Sequence, residues 1–300
     1  MIHLCEVGAR DGLQNEKKHV TTEDKVALLN QLMDTGIKKF ETASFVNPKV
    51  VPQMADAEAV MEALPEREGI TYAGLVLSRS GLERALATKV DRLHITAATS
   101  DTFNQKNVRR TVSESVEELS TVVEDASAAG RPSAAILSTV FGCPYEGTVD
   151  RARVFRVAEA FLDVGVQEIV LADTTGMANP IQVRDTVTDF KRSFGEEVPL
   201  GLHFHNTRGL GLANVAAGYE AGVRMFDAAL GGLGGCPFAP IAVGNVASED
   251  MIHMFQEMGA ETGIDLEAML NTSKWLETVM EKTLPGMVMK AGAASRLAEQ

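Results

Sequence analysis

Two histidines one residue apart, His203-Phe204-His205, are the sharpest chemical signal in this 300-residue chain. In a strand, residues i and i+2 point to the same face, so both imidazoles can reach one point. Asp11 closes the short run that follows the first strand candidate. In a closed barrel it stands at the mouth beside the last strand and close to the histidines. Two histidines and one carboxylate form a facial metal triad with positions left open for water or substrate. Asn245 can add a carbonyl oxygen. A donor set of nitrogen and oxygen suits Mg²⁺ or Mn²⁺, with Zn²⁺, Co²⁺ and Fe²⁺ also open. The alternative is a pair of hydrogen-bonded barrel histidines that hold no metal.

Other reactive side chains gather at the same kind of position, just after a strand. Arg10 cannot lose its charge and can steady a developing oxyanion. A salt bridge to Glu41 or Asp173 is its structural alternative, and the two roles are compatible. Glu41 and Ser44 end the second strand candidate, and Asp173, Thr174 and Thr175 follow the sixth. Cys236 sits in Gly231-Gly232-Leu233-Gly234-Gly235-Cys236-Pro237. A Gly-rich loop rarely offers a packed apolar pocket and can close over a site, so its thiol is read as a proton donor or nucleophile rather than a buried core group. Cys5 lies within the first strand candidate and is read as core. Cys143 is read as a structural loop residue. Lys17, Lys18, Lys106, Arg109 and Arg110 form two short basic clusters that could meet an anionic ligand.

Positioning these groups requires a repeating grammar of elements, and the chain shows one. Strand-like runs at 2–7, 37–42, 70–77, 90–97, 133–140, 166–172, 198–204 and 224–229 alternate with helical patterns at 22–35, 52–64, 112–129, 149–164, 180–194 and 210–221. That alternation points to βα units and a parallel sheet. Thr35-Gly36-Ile37, Val164-Gly165-Val166 and Ala221-Gly222-Val223 repeat one joint, a Gly just past a helix and then a strand. Eight such strands without a linker predict a (β/α)8 TIM barrel over residues 1–264, for which about 250 residues suffice. Residues 265–300, with an amphipathic helix at 266–281, are expected to pack on it as a helical appendage. An open doubly wound sheet is the alternative, but no Gly-rich dinucleotide fingerprint follows the first strand.

Composition limits the partners. With 28 Lys and Arg against 41 Asp and Glu, the formal charge is −13, which argues against a nucleic-acid binder. No apolar run approaches the roughly 18 residues of a membrane span. Neither a secretion leader nor a disulfide framework is evident with three cysteines, so a reducing, cytoplasmic setting is expected.

The runs Gly8–Lys17, Glu41-Thr42-Ala43-Ser44-Phe45-Val46, Cys143-Pro144-Tyr145-Glu146-Gly147, His203-Phe204-His205 and Gly232–Pro237 together resemble 3-hydroxy-3-methylglutaryl-CoA lyases, metal-dependent TIM-barrel enzymes. The resemblance runs in order from the first strand to about Gly263. It implies a retro-Claisen cleavage of a 3-hydroxy-3-methylacyl-CoA to acetyl-CoA and a 3-oxo acid, with an acyl-CoA substrate, a divalent cation and a homodimer. By the same resemblance Asp11, His203, His205 and Asn245 hold the metal, and Arg10 stabilises the enolate oxygen. Cys236 takes part in proton transfer, while Glu41 and Asp173 are acidic residues of the site. Gln14 and Ser44 are polar residues beside the substrate, and Lys17 and Asn107 contact CoA. The base is His203 or an adjacent carboxylate.

The family's strand-7 motif usually reads His-x-His-Asp-Thr-Tyr-Gly, whereas this chain has Asn206 and Arg208 at two of those positions. The expectation is retained chemistry with a shifted acyl preference, a citramalyl-type thioester being one candidate. Three other readings compete. A non-haem Fe(II) oxygenase would use the same triad but normally on a double-stranded β-helix. An acyl-CoA-sensing barrel would tolerate loss of Cys236. A condensing enzyme of the same superfamily would usually carry a further C-terminal region.

Overall fold

The computed structural model describes residues 1–235 and 244–295. Among these, eight strands pair in parallel, each with its chain neighbours, and β8 closes on β1: β1 (His3–Glu6), β2 (Lys39–Ser44), β3 (Thr71–Leu75), β4 (Arg92–Ala98), β5 (Ser133–Ser138), β6 (Glu168–Asp173), β7 (Leu200–Phe204) and β8 (Met225–Ala228). The helices are α1 (Thr22–Asp34), α2 (Ala57–Ala63), α3 (Arg79–Leu86), α4 (Asp101–Val108), α5 (Val112–Ala128), α6 (Arg151–Asp163), α7 (Pro180–Phe194), α8 (Gly211–Glu220), α9 (Ser248–Glu257), α10 (Leu266–Met280) and α11 (Val288–Ala291). This is the (β/α)8 TIM barrel expected from the sequence, and every strand candidate overlaps an observed strand.

The helices differ more from expectation. The pattern at 52–64 splits into a 3-10 turn, Pro52–Met54, and the shorter α2. Helices α3, α4 and α9 were not foreseen. The first two open on serine caps rather than on a long apolar stripe: Ser78 accepts from the Gly81 N–H and Ser100 from the Phe103 N–H, contacts that start a short helix locally.

Strand alternation sorts the side chains into two shells. Phe40 and Phe226 face outward with Phe161, Phe190 and Phe255 into the layer between sheet and helices, and all are fully buried. Several inward positions carry charge where branched aliphatics are usual in such barrels. At the N-terminal end Glu168 accepts from Lys39 at 2.6 Å and from Arg92 at 3.1 Å. Midway, Ile136, Val170 and Ala172 form a small apolar cluster apart from the outer core. Glu41, His94 and Asp227 are buried inside the barrel as well.

The joints that end in glycine have the left-handed backbone the sequence pattern called for, at φ +100° for Gly36, +92° for Gly165 and +92° for Gly222. Their surroundings differ. A Cβ at Gly36 would stand 2.5 Å from the Gly263 carbonyl oxygen, whereas nothing lies within 4 Å of one at Gly165.

Where β1, β8 and α9 meet, two glutamates are fully buried, Glu6 and Glu249. Burial is the largest influence on both, raising the Glu6 carboxyl to about 7 and the Glu249 carboxyl to about 8. Glu6 and Asp250 face Glu249 and push it further upward.

Two expectations follow for stability. Gly165→Ala should cost about 1–2 kcal/mol of left-handed strain, and Gly36→Ala clearly more, because strain and a backbone clash add; equal losses in denaturant unfolding would contradict this. Folded Glu6 and Glu249 keep protons that an unfolded chain, near 4.5, has released. Stability should therefore fall as pH rises from about 4.5 towards about 8 and then level off. Melting temperatures across that window should fall less steeply for Glu249→Gln than for the parent chain, and parallel curves would count against the buried-acid account.

Candidate active site

The site is built at the C-terminal ends of the strands by three neighbours in the ring, β7, β8 and β1. Register places His203 opposite Asp227, and Asp227 opposite Cys5. After β1 the chain makes one wide π turn, Gly8–Gly12, in which the Arg10 and Gly12 N–H groups both reach the Val7 carbonyl. Such turns re-aim side chains and recur at functional sites. Here the turn sends Arg10 and Asp11 over the barrel mouth.

Asp11, His203 and His205 each bring one ligand atom within 4.8 Å of the others. The two imidazole centroids are 5.2 Å apart, and His205 Nε2 stands 3.9 Å from Asp11 Oδ2. His203 Nδ1 lies 3.3 Å from Asp227 Oδ2. A ligating histidine commonly gives its other ring nitrogen to a carboxylate, which fixes tautomer and orientation. Asn245 Nδ2 donates to Asp11 Oδ2 at 2.8 Å and to the Leu233 carbonyl at 3.0 Å. Its Oδ1 is buried without a hydrogen-bond partner. An orphaned carbonyl oxygen beside two imidazoles and a carboxylate fits a hard divalent cation.

Arg10 is locked in place. Its Nε and NH2 groups donate to Glu41, and NH1 donates to Asp11 Oδ1 at 2.8 Å. Glu41 is fully buried and also meets His94 Nδ1 at 2.9 Å. Burial pushes the Glu41 carboxyl up, but the Arg10 charge and the His94 contact outweigh it, and the net shift is downward. Burial likewise opposes ionisation of Asp11, yet Arg10, His203, His205 and the Asn245 amide bring it down to about 2. At His203 burial favours the neutral ring, while Asp227 and Asp11 reverse this and raise its affinity for a proton.

A cavity of about 140 Å³ opens above these groups, lined on its polar side by Arg10, Asp11, Gln14, His203 and His205, and on its apolar side by Leu75, Leu77, Phe103, Ile136 and Ala172. Asn107, Thr96, Ser138 and Thr174 also reach it. Of the residues expected at the site, Arg10, Asp11, Gln14, Asn107, His203 and His205 share this cavity, and Asn245 touches it through Asp11. Glu41 lies beneath Arg10, out of contact with the cavity. Ser44 is buried with its Oγ unpartnered. Asp173 is fully buried and holds the Met177 and Ala178 N–H groups at 2.8 and 2.9 Å. Burial raises its carboxyl to about 6. Lys17 is exposed and does not line the cavity. Cys236 lies outside the described residues.

Asn206 and Arg208 do not line the cavity either. Asn206 Oδ1 accepts from the Gly211 N–H at 3.1 Å, and Arg208 donates to the Thr175 and Gly176 carbonyls at 3.1 and 2.8 Å. Arg208 thereby ties the loop after β7 to the loop after β6, while Asn206 braces the start of α8 within its own loop.

Sequence reasoning missed His94, Asp227 and the α4 residue Phe103. His94 was within reach, because Arg92, His94 and Thr96 alternate inward along β4. Asp227 carries no local signal, since its partner is set by barrel register.

The HMGL-like family model matches residues 1–276. The hydroxymethylglutaryl-CoA lyase of Bacillus subtilis is 43% identical over 284 residues, 95% of each chain. The (R)-citramalyl-CoA lyase of Chloroflexus aurantiacus is 40% identical, over 97% of this chain and 95% of its own. Among solved structures, an HMG-CoA lyase from Acinetobacter baumannii in complex with coenzyme A and 3-methylmalate superposes with a TM-score of 0.96 at 41% identity, covering 100% of this chain and 98% of that one. The barrel, the mouth-side cluster and these likenesses agree, and the chain belongs to the HMGL-like family as a carbon–carbon lyase of the hydroxymethylglutaryl-CoA lyase type.

Proposed function

We propose that this protein is a divalent-cation-dependent retro-Claisen lyase that splits 3-hydroxy-3-methylglutaryl-CoA, or a close analogue, into acetyl-CoA and a 3-oxo acid. The observation that carries this reading is the convergence of Asp11, His203 and His205 next to a locked Arg10, on the rim of a small half-apolar cavity. Mg²⁺ or Mn²⁺ held by these three residues and the Asn245 carbonyl would supply Lewis acidity, making the substrate's tertiary hydroxyl easier to deprotonate.

The chain's own residues do the rest. The hydroxyl proton passes to a carboxylate beside the cation site, our assignment for the base. C3–O becomes a carbonyl as the C2–C3 bond breaks, and the electron pair moves into a thioester enolate. Arg10 meets that charge with a guanidinium already held by Glu41 and Asp11, so little reorganisation is needed. A proton then returns to C2 to give acetyl-CoA, and Cys236 is our assignment for its source. A His203 that gives one nitrogen to a cation and the other to Asp227 has no lone pair left for a proton. We therefore assign it a ligand role and not that of base. A cavity of about 140 Å³ holds the volume of roughly five waters, enough for a short acyl chain while the nucleotide stays outside.

The second reading is a citramalyl-type thioester, which would yield a 2-oxo acid. It is favoured by the relative named (R)-citramalyl-CoA lyase. Asn206 and Arg208 are not among the residues that line the cavity, so we assign the choice to its apolar wall.

Acetyl-CoA release from 3-hydroxy-3-methylglutaryl-CoA should require added Mg²⁺ or Mn²⁺, stop with a chelator and return when the ion is restored. Activity that ignores the chelator would sink the proposal, and faster cleavage of citramalyl-CoA would move it to the second substrate. Arg10→Lys loses the two-sided fork and should lower kcat by about 10²–10³ with a far smaller change in KM. Cys236→Ala should lose most turnover while still binding the thioester; full activity in either variant would contradict the assigned role.

A further inference from the structure

Glu6 and Glu249 touch no ligand residue, yet between them they hold every segment that leads into the site from the β1–β8 side. Glu6 Oε1 accepts from the Gly8 N–H at 2.8 Å, where the turn carrying Arg10 and Asp11 begins. It also accepts from the Leu230 N–H at 2.9 Å, where the Gly-rich stretch leaves β8. Its other oxygen takes the Ser248 hydroxyl at the start of α9, three residues after Asn245. Glu249 Oε2 accepts from the next amide in the stretch, Gly231, at 2.9 Å.

The C-terminal segment backs this arrangement. The Gly286 N–H donates to the Gly231 carbonyl at 3.0 Å. A Cβ at Gly286 would stand 2.1 Å from Glu249 Oε1, and one at Gly231 would stand 2.4 Å from Leu284 Cδ1. Gly231 and Gly232 both have positive φ, +67° and +70°. The backbone from 230 to 233 is thus fixed on one side by two carboxylates and on the other by the chain at 284–286. Beyond it, the Leu233 carbonyl receives both the Asn245 backbone N–H at 3.2 Å and the Asn245 Nδ2 at 3.0 Å. Asn245 in turn holds Asp11.

We propose that Glu6 and Glu249 are positioning residues for the reaction, a buried clasp that sets Asp11 and Asn245 by fixing the backbone at Gly8, Leu230 and Gly231. This makes the C-terminal segment a working part of the site, since it supplies the surface against which Gly231 is held. The clasp needs acceptor oxygens of the right reach rather than net charge. Burial already favours protonated carboxyls at these two positions. A glutamine can take each place, its carbonyl accepting the backbone N–H groups and its amide facing Ser248 or Gly286.

The inference rests on the lyase reading for its kinetic arm only. Outer groups that orient ligands change metal affinity or activity by about 10–100-fold when removed. Glu6→Ala and Glu249→Ala should therefore each weaken Mn²⁺ binding to the full-length protein, and lower kcat, by about 10–100-fold, with KM for the thioester within about threefold of the parent. Glu6→Gln and Glu249→Gln should recover both to within about threefold. Ala variants that bind Mn²⁺ like the parent, or Gln variants no better than Ala, would overturn the clasp. If the Ala variants do not fold, Ser248→Ala removes a single hydroxyl and should still weaken Mn²⁺ binding several-fold, about the worth of one hydrogen bond; unchanged affinity there overturns it too. The Mn²⁺ titration needs no turnover, so a parent protein that fails to cleave the thioester would count against the lyase reading alone.

Discussion

The buried pairing of Arg10 with Glu41 is the contact on which the rest of the site depends. A charge inside a barrel is expensive unless it is paired and hydrogen-bonded, and removing one partner leaves the other stranded. Glu41 meets Arg10 from below and is itself met by His94, while Asp11 meets Arg10 from the side. The same contact therefore fixes the guanidinium, keeps Glu41 ionised, and orients the carboxylate that completes the triad. An interior built this way trades part of its aliphatic packing for a column of charged and polar groups running from Glu168 to the mouth.

Position in the ring does the remaining work. Because β8 closes on β1, residues near opposite ends of the chain become neighbours: Asp11 reaches His205, and Asn245 reaches Asp11. The wide turn after β1 then lifts Arg10 and Asp11 over the opening. Opposite them, α4 brings Phe103 and Asn107 to the same cavity. The polar half can handle charge as it develops, and the apolar half can hold an alkyl branch and keep water away.

Much of this was legible in the residues themselves. The Gly36, Gly165 and Gly222 joints announced left-handed caps, and the alternation of periods two and 3.6 announced the barrel. His203-x-His205 announced a shared face without needing the fold. What escaped were contacts created only by closure. Asp227 becomes the orienting partner of His203 through register, and His94 finds Glu41 across the barrel. Glu6 and Glu249 look like ordinary strand-end and helix-start glutamates until the ring buries them. Arg208, a cation beside the triad in sequence, donates to two carbonyls of the loop after β6, a contact its motif position did not announce.

The central claim is that one divalent cation sits on two imidazoles at this mouth. Pulsed electron paramagnetic resonance of Mn²⁺ bound to the ¹⁵N-histidine-labelled protein tests it without reference to turnover. The expected result is one bound Mn²⁺ coupled to two histidine nitrogens, with one coupling lost in His205→Ala. Mn²⁺ that binds with no histidine coupling, or with both couplings intact in that variant, would contradict it.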